Sequence, residues 1–583
     1  MYLQQKNKLA FATSSLLGCN PEQILTLLNR PKDNKSQGDW ALPCFQLAKE
    51  QKTNPAAFAA SLVEKLSSSD LASVGIQKVE AAGPYVNFFL DRQYWNAKII
   101  HSTLEAGDNV AKVTSDNPST IVLEYSAPNI AKTIHVGHLR TTLIGLCLDR
   151  VLRHRGYSVV TVNHLGDWGT QFGFVYAGCK LYGKPDNPTV EELVDLYVKA
   201  TNLRKLQDEK KVPAQDADKP DVNKMAREYF IRLESGDEEA VEFWQWCLDI
   251  SLVYLKAIYT RLGIFFDHYT GESFYKDMVP QIEKIVRDSG ILEESDGALG
   301  VDLGKELGFV RIFAEDGRSL YITRDIAAAM YRHDTFKPTK NLYVVAHQQS
   351  LHFKQLKEIM RRMKHPSADE IVHIPFGFVP GMKTRDGGAI SLKFFLDEAY
   401  DKAKFAYENL VQKKVEINAN EDPAEKVAIG ATYFYFLSHS NLKDFHFSWD
   451  EALSFQGDTG PYCQYALARL NSIIDKAEQE GISYKNLPAN IGQILSDDAS
   501  HSLVSLISSI DEVLNDVVRT YEPNILADYI IKLTHTFSSA YKHLRVIGEE
   551  KDVASARLGL FVAVRNTLKT ALYLLGVPTV ERM

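Results

Sequence analysis

Residues 120–138 read "TIVLEYSAPNIAKTIHVGH". An apolar run of strand type, TIVLEY, stops at a Pro-Asn turn, and a helical pattern, "HLRTTLIGLCLDRVLRHRG", runs from His138 to Gly156, a good helix-ending residue. A second strand-type run, "YSVVTVNHLG", occupies 157–166. Strand, helix and strand in this order predict a βαβ unit, and hence a parallel sheet with a right-handed crossover. In such sheets ligands sit beyond the carboxyl ends of the strands, where a helix N-terminus offers free N–H groups to phosphate. His135 and His138, three apart, share one face of that first helical turn. From there both could hydrogen-bond phosphate oxygens as charge builds in a transition state. Gly137 between them leaves no side chain against a base or phosphate. Composition alone predicts roughly 0.03 His-x-Gly-His strings in this chain. A pair of helix-capping surface histidines is the competing reading, and a zinc site finds no Cys or His partner at ligand spacing nearby.

Working outward, the chain has 583 residues, too many for one core, with 45% apolar and 24% charged residues. The first 113 residues mix helical stretches ("PEQILTLLNR", "NPAAFAASLVEKLSS") with strand-like ones ("IQKVEAAG", "YVNFFL"), which predicts a small α+β domain. Residues 114–412 carry the α/β alternation, interrupted at about 175–265 by a helical, charged insertion. Strand signals return at "LGVDL", "FVRIFA", "NLYVVA" and "EIVHIPFGFV". From 413 to 583 the pattern is helical with 3.6-residue apolar spacing, which predicts an all-α bundle. The fold class is therefore α/β: a Rossmann-like parallel-sheet domain with a helical insertion, an N-terminal α+β domain and a C-terminal helical bundle.

Six scattered cysteines without a Cys-x-x-Cys pair read as reduced thiols. No signal peptide or spanning segment is evident, so a soluble cytoplasmic chain without a membrane partner is expected. The net charge of −8 gives no global sign of nucleic-acid binding, so an RNA partner would have to be held by local patches.

His-Val-Gly-His after a first strand resembles the signature of class I aminoacyl-tRNA synthetases. The longer string "EYSAPNIAKTIHVGHLRTTLIG" is similar to the arginyl-tRNA synthetase form, as are "NHLGDWGTQFG" (163–173), "YITRDIAAAM" (321–330), "GDTGPYCQYALARL" (457–470) and the closing "VERM". The resemblance runs almost end to end. It implies that arginine attacks the α-phosphate of ATP to give arginyl-adenylate and pyrophosphate, and that the arginyl group then passes to the terminal adenosine of tRNA(Arg). It also implies ATP with Mg²⁺, no tightly held protein metal, a tRNA-dependent first step and a monomer.

Carried over position by position, His135 and His138 would stabilise the reacting phosphate, with Gly137 giving adenine room. Glu272 in "TGES" and Asp325 in "YITRD" match the guanidinium-binding carboxylates, suitable partners for a fork of donors that does not deprotonate. Tyr321, four before Asp325, could add a hydroxyl. Glu124, Asn129 and Gln349 match residues around the amino and carboxylate end of arginine. Asp167, Trp168 and Gln171 would line the site in unassigned roles. His352 is an ATP contact or a satisfied core histidine.

The second class signature, Lys-Met-Ser-Lys-Ser, is altered. The corresponding loop, 379–392, reads "VPGMKTRDGGAISL", with Thr384 in place of the key lysine. Lys132 in "NIAK" is the expected substitute cation beside pyrophosphate. Met382, Lys383, Thr384 and Arg385 would meet ATP when the loop closes, and a plain solvated loop is the alternative. Two other functions compete. Small nucleotidyltransferases use a similar turn but lack this helical C-terminus, and a non-catalytic RNA-binding relative would have no need of His135, His138, Lys132, Glu272 and Asp325 together.

Overall fold

The structure, a computed structural model, describes residues 2–31, 38–213, 216–295, 298–313, 320–382, 389–410 and 422–583. The expected boundary at 412/413 falls outside these described residues.

Five strands build the central sheet: β4 (Thr120–Glu124), β5 (Ser158–Asn163), β6 (His268–Tyr269), β10 (Lys340–Ala346) and β11 (Ile371–Phe376). Their spatial order is β11-β10-β4-β5-β6 and every pairing is parallel. Read from β6, the strands are third, second, first, fourth and fifth in chain order. The connections reverse direction between β4 and β10, so the ligand crevice of a doubly wound sheet opens there. Alternation along β10 shows why the sheet is covered on both sides. Leu342 and Val344 face one apolar core while Tyr343, between them, faces another. The helix Val136–His154 lies against β4 so closely that a Cβ at Gly145 would stand 2.1 Å from the Tyr125 ring. Gly156, at φ 84°, ends the turn after that helix.

Four helices, Gln171–Tyr182, Val190–Asp208, Val222–Glu234 and Glu238–Arg261, fill the interval between β5 and β6. The strand signals at "LGVDL" and "FVRIFA" do not join the parallel sheet. With β7 (Glu293–Ser295) they form β8 (Ala298–Asp302) and β9 (Phe309–Phe313), a separate antiparallel sheet in the order β7-β8-β9. The connection from Asp302 to Phe309 is too short for the crossover that parallel neighbours need.

At the N-terminus, β1 (Trp40–Pro43), β2 (Ile76–Ala82) and β3 (Tyr85–Leu90) form an antiparallel sheet, order β1-β3-β2, packed with helices such as Pro55–Ser67 and Arg92–Ala106. The C-terminal bundle includes Gly460–Gln479, Asp498–Thr520, Asn524–Ala540 and Lys551–Leu575. Among the described residues one helix, Lys551–Leu575, is long and apolar enough to cross a membrane. It is mostly buried, as the core helix of a bundle is. One continuous apolar core joins the N-terminal domain, one face of the central sheet and this bundle.

Candidate active site

The chain leaves β4 through a strained segment. Ser126, Ala127 and Ala131 have φ of 73°, 45° and 57°, a region that costs an L-residue about 1 kcal/mol or more. Surrounding side chains hold it there. The Ser126 N–H donates to Thr141 Oγ1 at 3.2 Å, and the Ser126 hydroxyl lies 2.7 Å from that of Tyr259 and accepts from Thr142 at 2.9 Å. The Ala131 N–H donates to Ser251 Oγ at 3.2 Å. Ser251 and Tyr259 both belong to the inserted helix Glu238–Arg261, so the insertion positions the phosphate turn. Asn129 bridges in parallel to Gly166, where a Cβ would stand 2.1 Å from Asn129 Oδ1. Its side chain is exposed at the carboxyl edge of the sheet.

His135 is the N-cap of the following helix and His138 its third residue, joined in a reciprocal capping arrangement. Nδ1 of His135 accepts the Gly137 N–H at 3.1 Å, and Nδ1 of His138 accepts the His135 N–H at 3.4 Å. Both Nδ1 atoms are therefore unprotonated, which places the proton of each neutral ring on Nε2. Burial pulls His138 down to about 4, with His135 adding to the effect; burial and then Lys132 lower His135 as well. At neutral pH the helix N-terminus thus presents two neutral N–H donors, their ring centroids 4.0 Å apart. Gly137 has a second role: a Cβ there would stand 2.8 Å from the His135 ring.

The loops after β5 and β6 bring Asp167 and Glu272 to the same edge, and the segment after β10 brings His352 to Asp325. Glu272 opens the short helix Glu272–Tyr275 and Asp325 lies in helix Tyr321–Phe336. Each already has an internal basic partner. Arg324 Nη1 is 2.8 Å from Glu272 Oε2, and His352 Nε2 is 2.8 Å from Asp325 Oδ2. Burial pushes the Glu272 carboxyl up to about 7; Asp325 and Asp167 add to the rise and Arg324 opposes it. The hydrogen bond to Asp325 raises His352.

Asp167 supports Glu272 from below. Its carboxylate accepts the Ser273 N–H at 2.8 Å and the Ser273 hydroxyl at 2.6 Å. Gly271 is required at this turn, since a Cβ there would stand 2.4 Å from the Asp167 carboxylate carbon. Trp168 is buried against Trp244 and Phe230. Gln171 donates to the Gly166 carbonyl at 3.2 Å, bracing the turn that meets Asn129.

Of the remaining expected residues, Lys132 is exposed, its ammonium 5.4 Å from the Tyr197 ring centre. Gln349 is exposed at the start of helix Ser350–Arg362, beyond β10. Glu124 is buried, its Oε2 2.6 Å from Nη2 of the equally buried Arg332, a charge contact without hydrogen-bond geometry. Met382 is half-buried against the main core. Lys383, Thr384, Arg385 and the Tyr321 side chain lie outside the described residues. The far end of the altered loop is tied to the histidine turn: Val136 N–H donates to Ile390 O at 3.1 Å, and Leu392 N–H to Ile134 O at 2.8 Å. Sequence reasoning did not assign Arg324, Ser273, Arg332 or Ser251. Arg324 stands inside the quoted "YITRD", but nothing local shows that its guanidinium turns to Glu272.

Among the described residues no group of three or more His, Cys, Asp and Glu side chains is placed to hold a metal. In the bundle, Arg469, Lys476, Lys542 and Arg545 line a cleft of about 580 Å³ with Tyr541, over which Arg469 stacks at 4.2 Å.

Comparison with known proteins bears on this geometry. The family described as "tRNA synthetases class I (R), catalytic domain" matches residues 100–449. The "DALR anticodon binding domain" matches 463–583 and the "Arginyl tRNA synthetase N terminal domain" matches 4–90. The chain is 38% identical to the arginine–tRNA ligase of Lactococcus lactis subsp. cremoris over 99% of its own length and 98% of the relative's. It is 37% identical to that of Halothermothrix orenii over 97% of each chain. In fold it is similar to the Thermus thermophilus arginyl-tRNA synthetase, with a TM-score of 0.79, 23% identity, and 95% of this chain and 96% of that one covered. The arginyl-tRNA synthetase of Plasmodium falciparum gives 0.78 at 22% identity, with 95% and 94% covered.

Proposed function

The chain belongs to the class I arginyl-tRNA synthetases, which are arginine–tRNA ligases, and on that premise we propose how its residues divide the reaction. The observation that carries the reading is the pair of neutral Nε2–H donors at the helix N-terminus beside the switch point. The carboxylate oxygen of arginine attacks the α-phosphorus of ATP, and the bond to the pyrophosphate oxygen breaks. No proton moves in this step, so donors that need not titrate suit it, and charge stabilisation is their contribution. Gly137 leaves the helix start open to the nucleotide, and Mg²⁺ arrives with ATP. Lys132 and the loop residues Met382, Lys383, Thr384 and Arg385 serve the leaving pyrophosphate. In the second step the 2′-hydroxyl of the terminal adenosine attacks the acyl carbon, the bond from that carbon to the phosphate oxygen breaks, and the hydroxyl proton passes to the phosphate of the departing AMP.

Glu272 and Asp325 take the guanidinium of arginine, helped by the Tyr321 hydroxyl. Arg324 and His352 are the internal basic partners that the substrate must displace or share with. Asn129 and Gln349 meet the other end of arginine. Glu124 acts there through Arg332, because its own carboxylate is already paired. The basic cleft around Arg469 and Tyr541 is the surface we assign to the tRNA backbone.

The protein works as a cytoplasmic monomer in this reading, and its six cysteines, free thiols of which five are buried, suit a reducing compartment. Sedimentation at working concentration tests the monomer. ATP–pyrophosphate exchange with each of the twenty amino acids, with and without tRNA(Arg), tests the rest. Exchange with arginine that is lost in Asp325→Asn is expected; an unaltered arginine KM in that variant would overturn the guanidinium assignment.

A further inference from the structure

Arg140 lies one turn into the helix that His135 opens, yet it does not face the nucleotide. Its side chain, 1% exposed, reaches across to two segments distant in sequence. Nη2 donates to the carbonyls of Ser440 at 2.9 Å and Lys443 at 2.8 Å, and Nη1 makes a longer contact to the Phe378 carbonyl at 3.4 Å. The guanidinium carbon stands 4.9 Å from the Phe445 ring centre. Phe378 and Gly377 form the root of the altered ATP-side loop, and both are gripped from the same side. The Phe378 N–H donates to Asp444 Oδ1 at 2.6 Å and the Gly377 N–H to the Asn441 carbonyl at 2.8 Å. A Cβ at Gly377 would stand 2.4 Å from Asp444 Oδ1, so only glycine allows this approach.

Segment 440–445 is in turn fixed by the bundle. The Asn441 N–H donates to Glu522 Oε2 at 2.8 Å, and its side-chain amide to the Tyr521 carbonyl at 2.8 Å. Tyr521 is the left-handed C-cap, φ 59°, of the bundle helix Asp498–Thr520. Burial draws the Arg140 guanidinium down to about 10, and Asp444 and Glu522 are the charges that oppose this. One cation on the signature helix therefore answers two carboxylates, one gripping the loop root and the other belonging to the bundle.

We propose that Arg140, Asp444 and Glu522 are positioning residues through which the C-terminal bundle sets the placement of the loop root Gly377–Phe378, and hence the productive binding of ATP. None of the three touches substrate. Without this connection the Phe378 and Gly377 N–H groups would lose their partners, leaving the loop root to the end of β11 and to the His347 ring, 5.6 Å from that of Phe378. The proposal rests on the reading that the loop and the histidine turn serve ATP.

The test is steady-state ATP–pyrophosphate exchange by the full-length enzyme, with tRNA(Arg) present throughout. Glu522→Ala and Asp444→Ala are both expected to raise the KM for ATP roughly three- to tenfold and to leave the KM for arginine unchanged. Asp444→Asn, which keeps an acceptor oxygen, restores most of the loss. The double variant is no worse than the more severe single, because the two act through one connection. Asp444 is exposed, so its replacement does not threaten folding. Equal rises in both KM values, or a lowered thermal midpoint with no change in the KM for ATP, would reduce the connection to a structural brace. His138→Ala in the same assay separates the two levels. Exchange unaffected by that change overturns the ATP-site reading and the proposal with it. Impaired exchange in His138→Ala with a normal ATP KM in Glu522→Ala overturns the proposal alone.

Discussion

Arginine capture should titrate near neutrality. The Glu272 carboxyl, pushed up to about 7 by burial, faces Arg324, Asp325 and Asp167. Only its ionised form offers a guanidinium two acceptors of full charge. A carboxyl of that pKa is about nine-tenths ionised at pH 8 and about one-tenth at pH 6, so the KM for arginine should rise roughly ninefold between them. The sign is fixed: protonation removes the acceptor, so affinity falls as pH falls. His352 acts in the same direction, because lower pH keeps it charged on Asp325, against the guanidinium. Glu272→Gln should raise the KM at pH 8 by about 1.5–3 kcal/mol, roughly ten- to 150-fold, the value of a hydrogen bond to a charged group. What pH dependence remains in that variant should disappear in Glu272→Gln/His352→Gln. The assay is ATP–pyrophosphate exchange at saturating ATP with tRNA(Arg) present, between pH 6 and 8.5. A KM for arginine that is flat over this range in the unaltered enzyme, or a full ninefold slope retained in the double variant, would refute the reasoning.

Removing the His138 donor with His138→Ala should slow adenylate formation by about 10²-fold in single-turnover measurements, the cost of losing one preorganised donor. Because burial holds His138 at about 4, its loss should leave the shape of the pH–rate profile above pH 5.5 unchanged. Asp167→Asn keeps one acceptor for Ser273, whereas Asp167→Ala frees the Glu272 turn; the second should raise the KM for arginine about tenfold and the first far less. Glu124→Ala strands Arg332 in the interior and should cost about 3–5 kcal/mol in the first unfolding transition of a denaturant titration. A combined Glu124→Leu/Arg332→Met change should recover much of that stability.

The phosphate half of the site is legible in the sequence because its causes are local. A short apolar run, a turn and a 3.6-period run fix the order of β4, helix and β5, and three-residue spacing alone puts His135 and His138 on one helical face. The antiparallel strands β8 and β9 were legible as strands, but not as a separate sheet: apolar alternation gives no partner, and only the short connection does.

The acidic half is different. That "TGES" and "YITRD" carry carboxylates is plain from the sequence, and their match to a guanidinium site came from resemblance. Only the tertiary structure decided that Glu272 holds Arg324, that Asp325 holds His352, and that Glu124 is closed off by Arg332. The sequence likewise gave no sign that Trp168 is core and that Asp167 is the prop of another residue's turn. The physical reason is range. Backbone periodicity is set by neighbours three or four residues away, so a single chain segment displays it. The charge state and availability of a carboxylate depend on which cation and how much water stand beside it, and those arrive from segments brought together only when the sheet closes.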